Sequence, residues 1–187
     1  FKVPVEEVTP LMRSRAKAVN FGIVYGISDF SLSQDLKITR KEAAEYMEIY
    51  FDRYPKIKGY LESVKEEAKE KGYVLTVLNR RRFIPEIKSS NKIVKALGER
   101  LAMNAPIQGS AADIIKLAMV KAYNRIKKEN LESQMILQVH DELILNVKEN
   151  ELEIVKALVK EEMENVLKMS VTLEVDTNIG NTWYDAK

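Results

Sequence analysis

Two cations and two aromatic residues recur at four-residue steps near the start of the sequence. Arg13, Lys17, Phe21 and Tyr25 share one helix face, because four-residue steps differ by only ~40° around a helix of 3.6 residues per turn. Cations of this kind hold phosphate groups, and flat rings offer a stacking surface to a sugar or base. The other interpretation is an ordinary amphipathic helix with its cations in solvent and its rings in the core. The stripe alone leaves both open.

Each aromatic residue of the stripe is followed by a glycine, Gly22 and Gly26. A glycine inside a helix costs about 1 kcal/mol relative to alanine. The glycines therefore suggest that close approach is needed at these two positions.

An acidic pair lies beside the only histidine in the sequence. His140, Asp141 and Glu142 separate two apolar, strand-like runs at 134–139 and 143–147, which predicts a β-hairpin with acids at its tip. Turns are often acidic simply because they are solvated. The functional alternative is a Mg²⁺ site, since this ion uses one or two carboxylates together with water and substrate phosphates. Two-metal chemistry needs further carboxylates, and the sequence offers no second compelling motif.

A basic run follows a strand-like segment and Asn79, a residue type that tolerates positive φ. Arg80, Arg81 and Arg82 are adjacent and cannot all face one way, yet one or two can reach a phosphodiester backbone. A solvated loop is the alternative.

Further polar residues interrupt apolar helical stretches. Arg100, Asn104 and Gln108 need partners if they are buried, whether a base edge, a sugar or the backbone. Asp113 fits a structural hydrogen-bonding role, and Trp183 is expected in the core.

The elements that must position these residues are mostly helices. Helical periodicity covers 11–25 and 56–71, and Thr39 with Glu42 forms a capping box that opens another helix. A strand is expected at 73–78. Two more helices, at 93–103 and 110–127, are expected on either side of a break at Ala105–Pro106.

The last third adds the hairpin over 134–147, a helix at 151–168 and a third strand at 171–176, where Val171, Leu173 and Val175 alternate with polar residues. The expected fold class is α+β, with a helical part at 1–93 and an α+β part at 94–187.

Composition narrows the function classes. The 187 residues carry a formal net charge of +2 and no cysteine, which excludes disulfides, zinc–thiolate sites and cysteine nucleophiles. No apolar run approaches the ~18 residues of a membrane span. The first residues, from Phe1, do not form a signal peptide, and the sequence reads as a cytoplasmic piece of something longer.

Four motifs together resemble family A DNA polymerases, the bacterial DNA polymerase I type. The run from Arg13 to Gly26 resembles the fingers motif of that family, and Gln138 to Glu142 resembles its palm motif. Leu78 to Phe83 and Asn104 to Asp113 resemble two further segments. The four occur in the family's order and cover essentially the whole chain.

The resemblance implies template-directed DNA synthesis, in which deoxynucleotides join a primer 3′ end by two-metal phosphoryl transfer. Residues 1–93 would be the fingers, with the nucleotide-binding helix at about 11–25, and 94–187 the C-terminal half of the palm. Arg13 and Lys17 would hold the triphosphate, and Lys17 is also a candidate catalytic residue. Phe21 would lie against the sugar and base, which suggests discrimination against dideoxynucleotides, and Tyr25 near the templating base.

For the metal and the DNA, the resemblance assigns Asp141 as the ligand of catalytic Mg²⁺, with Mn²⁺ a possible substitute. Glu142 would lie close by, and both acids are candidate catalytic residues. His140 would lie near the primer end. The remaining DNA contacts would be Arg80, Arg81, Arg82, Arg100, Asn104 and Gln108.

The sequence also departs from the family pattern. Ser14 stands where relatives commonly carry Arg, Asn79 where they carry Gly, and Ser110 where they carry Thr. The family's other catalytic aspartate, in a strand that should precede Phe1, and the thumb are missing. We therefore expect the chain to be inactive alone and to need an upstream segment. A non-catalytic nucleic-acid-binding module is the alternative, and a structural helical protein without a ligand is a third class.

Overall fold

A computed structural model describes residues 3–186 of the chain. It divides into two compact units, one ending at Gln108 and the other beginning at Gly109. The boundary between these units falls inside a helix and later than residue 93, and the division into polymerase subdomains stays a prediction. Among the described residues no helix has the length and apolar character needed to cross a membrane.

Four helices open the first unit, each with an identifiable start signal or end signal. Their bounds are α1 Pro10–Val24, α2 Asp29–Leu36, α3 Arg40–Arg53 and α4 Pro55–Lys71. The Thr9 hydroxyl accepts a hydrogen bond from the Met12 amide at the start of α1. The predicted capping box of Thr39 and Glu42 is confirmed at the start of α3. Gly72, in the left-handed region at φ 79°, ends α4 directly after the helical periodicity predicted for 56–71.

The helices bury their apolar faces in a shared cluster. Val19 and Ile23 of α1 pack with Leu32, Ala43 and Leu61 from the next three helices. A hydrogen bond of 2.8 Å from the Tyr50 hydroxyl to Asn20 Oδ1 also ties α3 to α1. The side of α1 that faces the protein is therefore fixed by packing.

A short hairpin follows α4. β1 (Tyr73–Leu75) pairs antiparallel with β2 (Arg81–Phe83), and Asn79 in the turn has the expected positive φ, 61°. Val74 is buried beneath the hairpin in a second apolar cluster with Val64, Ala68, Ile84 and Ile87.

The expected helix break at Ala105–Pro106 is wrong. A single helix, α5, runs from Lys92 to Lys128 with Pro106 inside it. Proline cannot donate a hydrogen bond to the carbonyl four residues earlier, a loss of roughly 3 kcal/mol. Ala102, Met103 and Pro106 are buried, and burial on this scale offsets the lost bond and keeps the helix continuous.

The second unit contains the predicted hairpin. β3 (Gln134–Val139) pairs antiparallel with β4 (Glu142–Asn146), and the register shifts between Met135 and Leu137. α6 (Leu152–Glu164) packs Val155, Leu158 and Val159 against the end of α5 and against half-buried side chains of the hairpin. A helix on a small antiparallel sheet is the α+β arrangement that the sequence predicted.

Three expectations for the C-terminal region are wrong. Residues 171–176 do not form a strand, and each sheet in the described part of the chain has two strands. Leu173 and Val175 are half-buried between exposed neighbours, an alternation typical of a strand. The segment is nevertheless not paired with either described sheet. Trp183 is 44% exposed and lies outside the core. The helix expected at 151–168 also ends earlier, at Glu164.

A buried carboxylate organises the loop between α5 and β3. Glu151 Oε1 accepts a hydrogen bond from the Glu132 amide at 2.9 Å, and Oε2 accepts two from Ser133, from the amide at 2.9 Å and from the hydroxyl at 2.5 Å. The Lys148 amide donates to the same Ser133 hydroxyl. The amide of Glu132 and then the side chain of Ser133 hold the pKa of Glu151 below its ordinary value of 4.5.

This network predicts a pH-dependent contribution to stability. Because the pKa is lower in the folded state, the stabilisation is present above the unfolded value and is lost as pH falls through the folded value. We expect Glu151→Gln to lower the free energy of unfolding at pH 7, and the difference from the wild type to shrink as pH falls below about 4.5. Urea unfolding at several pH values measures this. Glu153→Gln, at an exposed position in the first turn of α6, is the control, and a difference for Glu151→Gln that is constant with pH would contradict the prediction.

Candidate functional site

The outward side of α1 carries the predicted stripe. Arg13, Lys17, Phe21 and Tyr25 are all exposed, whereas Val19 and Ile23 on the other side are buried. Phe21 is 52% exposed and Tyr25 42%. Their rings stack at a centroid distance of 6.4 Å with 12° between planes. The interpretation that placed these rings in the core is therefore wrong.

The two cations of the stripe are free of protein partners. Within residues 3–186, Arg13 and Lys17 make no ion pair or side-chain hydrogen bond. Arg40, in the same unit, instead binds Asp29 at 2.7 Å. A guanidinium and an ammonium ion one helical turn apart, with their donors unused, are suited to an anionic ligand such as a phosphate.

The close approaches predicted at the two glycines are confirmed. A Cβ on Gly22 would lie 2.8 Å from Ile27 Cγ2, and one on Gly26 would lie 2.3 Å from Met103 Cε and 3.3 Å from Arg100 Cγ. Gly26 also has a φ of 71°, in the left-handed region. The end of the stripe is thus packed against α5 at Arg100.

Arg100 begins a second row of candidate residues along α5. Asn104 and Gln108 follow at four-residue steps, so the three lie near one face. Arg100 and Gln108 are exposed. Asn104 Oδ1 is buried without a hydrogen-bond partner among the described residues, which leaves an acceptor available for a ligand.

The arginine run is split between the two faces of the β1–β2 hairpin. Arg82 lies opposite Val74, and Arg81 lies opposite Leu75 on the other face. The Arg81 guanidinium sits 4.9 Å from the centroid of the Tyr73 ring. This confirms that the three arginines do not all face one way.

The acids expected at the hairpin tip are found there. His140 and Asp141 form the two-residue connection, and Glu142 begins β4 opposite Val139. His140 has a φ of 52°, and its carbonyl accepts a 2.6 Å hydrogen bond from Gln138 Nε2.

The carboxylates of Asp141 and Glu142 are exposed, and among residues 3–186 neither makes a side-chain hydrogen bond or ion pair. Free carboxylate oxygens are the donors that Mg²⁺ prefers. No group of three or more metal-ligating side chains gathers anywhere in the described part of the chain. The tip therefore presents two free carboxylates, but not a complete set of metal ligands, in the described part of the chain.

Comparison with known proteins decides the family. The model of DNA polymerase family A matches residues 1–185. The chain belongs to this family. It is 55% identical to DNA polymerase I of Caldicellulosiruptor bescii and 56% identical to that of Bacillus caldotenax, in both cases over the whole chain.

A solved family member has the same fold. The POL domain of Pol1 from M. smegmatis, in complex with DNA primer-template and dNTP, matches the whole chain with a TM-score of 0.96 and 48% identity. The chain covers 33% of that structure, and only 22% and 21% of the two curated relatives. The chain therefore spans about a fifth of the length of these two curated relatives.

The contacts of Tyr73 in this family A chain are not predicted by the sequence pattern. Tyr73 begins the expected strand at 73–78, and its ring lies against both Arg81 and Phe83. The spacing of these residues in the sequence could have indicated the contacts. If β1 and β2 pair as a hairpin, Arg81 and Phe83 lie two residues apart on β2 and project from the same face.

The backbone at His140 generates a prediction about stability. A non-glycine residue in the left-handed region costs about 1 kcal/mol. We expect His140→Gly to raise the free energy of unfolding by up to about 1 kcal/mol, measured by urea unfolding. Asn130, with a φ of 57° in the same unit, is the matched control. Asn130→Gly should raise the free energy of unfolding by less, because asparagine tolerates this region. Destabilisation by His140→Gly would show that the imidazole is held by contacts worth more than the strain.

Proposed function

We propose that this chain forms the nucleotide-binding part and one portion of the metal-binding part of a template-directed DNA polymerase, which adds deoxynucleotides to a primer 3′ end. The observation that carries the proposal is the outward face of α1, where two unpaired cations are followed by two stacked, exposed rings. This order matches an incoming nucleotide, with charge at its triphosphate and a flat apolar surface at its base.

On this face each residue has a distinct task. Arg13 and Lys17 bind the triphosphate and offset the negative charge that develops as the phosphoryl group transfers. Phe21 lies against the sugar and base, and Tyr25 lies near the templating base. The Gly26 turn holds Tyr25 in place, because any larger residue there would meet Met103.

The hairpin tip supplies the metal ligand. Asp141 would hold Mg²⁺, or Mn²⁺ as a substitute, with Glu142 beside it. The bound ions would neutralise phosphate charge and help to orient the attacking and leaving oxygens for in-line displacement. Two adjacent carboxylates do not complete a two-metal site. The longer relatives support an upstream segment that brings the second aspartate and the thumb.

The remaining basic and amide side chains contact primer–template DNA. Arg100, Asn104 and Gln108 lie along the duplex, and the unpaired Asn104 Oδ1 accepts from a base edge or an ordered water. Arg80, Arg81 and Arg82 bind the phosphate backbone, and His140 lies near the primer end. The similar M. smegmatis domain, solved with DNA and dNTP, supports both partners. We infer a location in the bacterial cytoplasm or nucleoid, where such a polymerase would meet its DNA; the similar bacterial relatives support this inference.

Primer extension with Mg²⁺ tests this function. The 187-residue chain alone should give no extension, and a longer natural chain that contains it should extend a primer. In that longer chain Asp141→Asn should lower the rate at least about 10³-fold, equivalent to about 4 kcal/mol of transition-state stabilisation. Asp176→Asn, at an exposed acid of the same unit, is the control and should leave the rate unchanged.

Robust synthesis by the 187 residues alone would overturn the proposed need for an upstream ligand. Wild-type activity of the Asp141→Asn variant would overturn the assignment of the metal.

A further inference from the structure

We propose that Tyr73, Arg81 and Phe83 form a stacking platform for unpaired bases of the DNA strand. The inference rests on the proposed function, which makes DNA the ligand, and it adds a binding surface separate from the α1 stripe.

The platform is built by the register of the β1–β2 hairpin. Tyr73 pairs with Phe83, and Arg81 is two residues away on the same strand as Phe83, so all three side chains project from one face. The Tyr73 and Phe83 rings meet edge to face at 5.7 Å. The Arg81 guanidinium lies over the Tyr73 ring at 4.9 Å, and this cation–π contact holds it against the platform.

The outer surface of the platform is open. Phe83 is 64% exposed, far more than the buried Val74 on the opposite face of the hairpin. In the described part of the chain the Arg81 guanidinium has no hydrogen bond or ion pair. Its N–H donors are therefore available while its flat face is fixed on a ring.

The charge around the platform favours a polyanion. Arg82 follows Arg81 on the other face, and the Lys88 ammonium lies 4.0 Å from the Cβ position of Gly72, the residue before Tyr73. Within residues 3–186, neither Arg82 nor Lys88 is engaged in an ion pair. An apolar protein partner would leave these cations without a counter-charge.

Exposed rings beside unpaired guanidinium groups are the chemistry by which proteins hold single strands. Each base offers a π-face to an aromatic ring while cations follow the phosphates. A duplex hides its base faces in the stack, so the platform selects unpaired nucleotides. In a primer–template these are the bases of the template overhang.

Overhang-dependent binding tests the platform in a longer natural chain that contains these residues. Affinity is measured by fluorescence anisotropy for two primer–templates with the same duplex, one with an overhang of about ten nucleotides and one with a single unpaired nucleotide. Phe83→Leu should weaken binding of the long overhang at least about five-fold, the lower end of the effect of losing one stacked base. The single-nucleotide substrate should change less than about two-fold.

Three further variants sharpen the test. Phe83→Trp should restore the affinity because it keeps a ring, and Arg81→Lys should weaken the long overhang because an ammonium ion cannot stack as guanidinium does. Tyr60→Leu, at a residue 44% exposed on α4, is the control and should change neither substrate.

The platform would be overturned if Phe83→Leu changed the affinity for the two primer–templates equally, or changed neither affinity. A fall in the melting temperature with unchanged DNA affinity would also overturn it, because the ring would then be packed against another part of the protein. If primer extension depends on Asp141 while the Phe83→Leu variant binds the long overhang with wild-type affinity, the platform is wrong. The proposed polymerase function is then still supported. Absence of extension in the longer chain would count against the function itself.

Discussion

Burial of one side of α1 is the constraint on which the rest of the proposed site depends. Val19 and Ile23 are locked into the core shared by the first four helices, and the Gly26 turn closes against Met103. Rotation of the helix would expose two buried aliphatic side chains, at a cost of about 1.5–3 kcal/mol each. The cations and rings of the stripe therefore have to face outward. The exposure of Phe21 and Tyr25 is a consequence of packing and not a defect in it.

The candidate residues of the second unit are negatively charged, whereas the α1 stripe of the first unit carries cations. Its hairpin holds two free carboxylates at a tip whose backbone is strained at His140, and the Glu151 network fixes the loop that leads into β3. Phosphoryl transfer needs both kinds of group, since cations and bound metal ions neutralise the charge of the transferring phosphate. In the proposed function, the α1 stripe would supply the cations and the hairpin tip would supply one part of the metal ligands.

Local signals in the sequence predicted much of this structure. Thr39 with Glu42, Gly72 and Asn79 act through their own backbone and nearest neighbours, so their effects are visible without tertiary structure. The predictions that failed depend on distant contacts. Burial of Pro106 and its neighbours keeps α5 continuous, and residues 171–176 need a neighbouring strand to become a strand themselves. The stripe on α1 was correctly identified, but whether its rings faced solvent or core depended on packing that spacing does not specify.

The most direct test of the central claim is the affinity of a longer natural chain containing these residues for a deoxynucleoside triphosphate, measured in the presence of primer–template. Lys17→Ala is compared with Lys41→Ala, an exposed lysine in the first turn of α3 in the same unit. Loss of the charge-assisted bonds at Lys17 should raise the nucleotide Kd at least about ten-fold, with DNA affinity unchanged, and Lys41→Ala should match the wild type. Equal nucleotide affinity in both variants would contradict the account, because the outward face of α1 would then not be the nucleotide site.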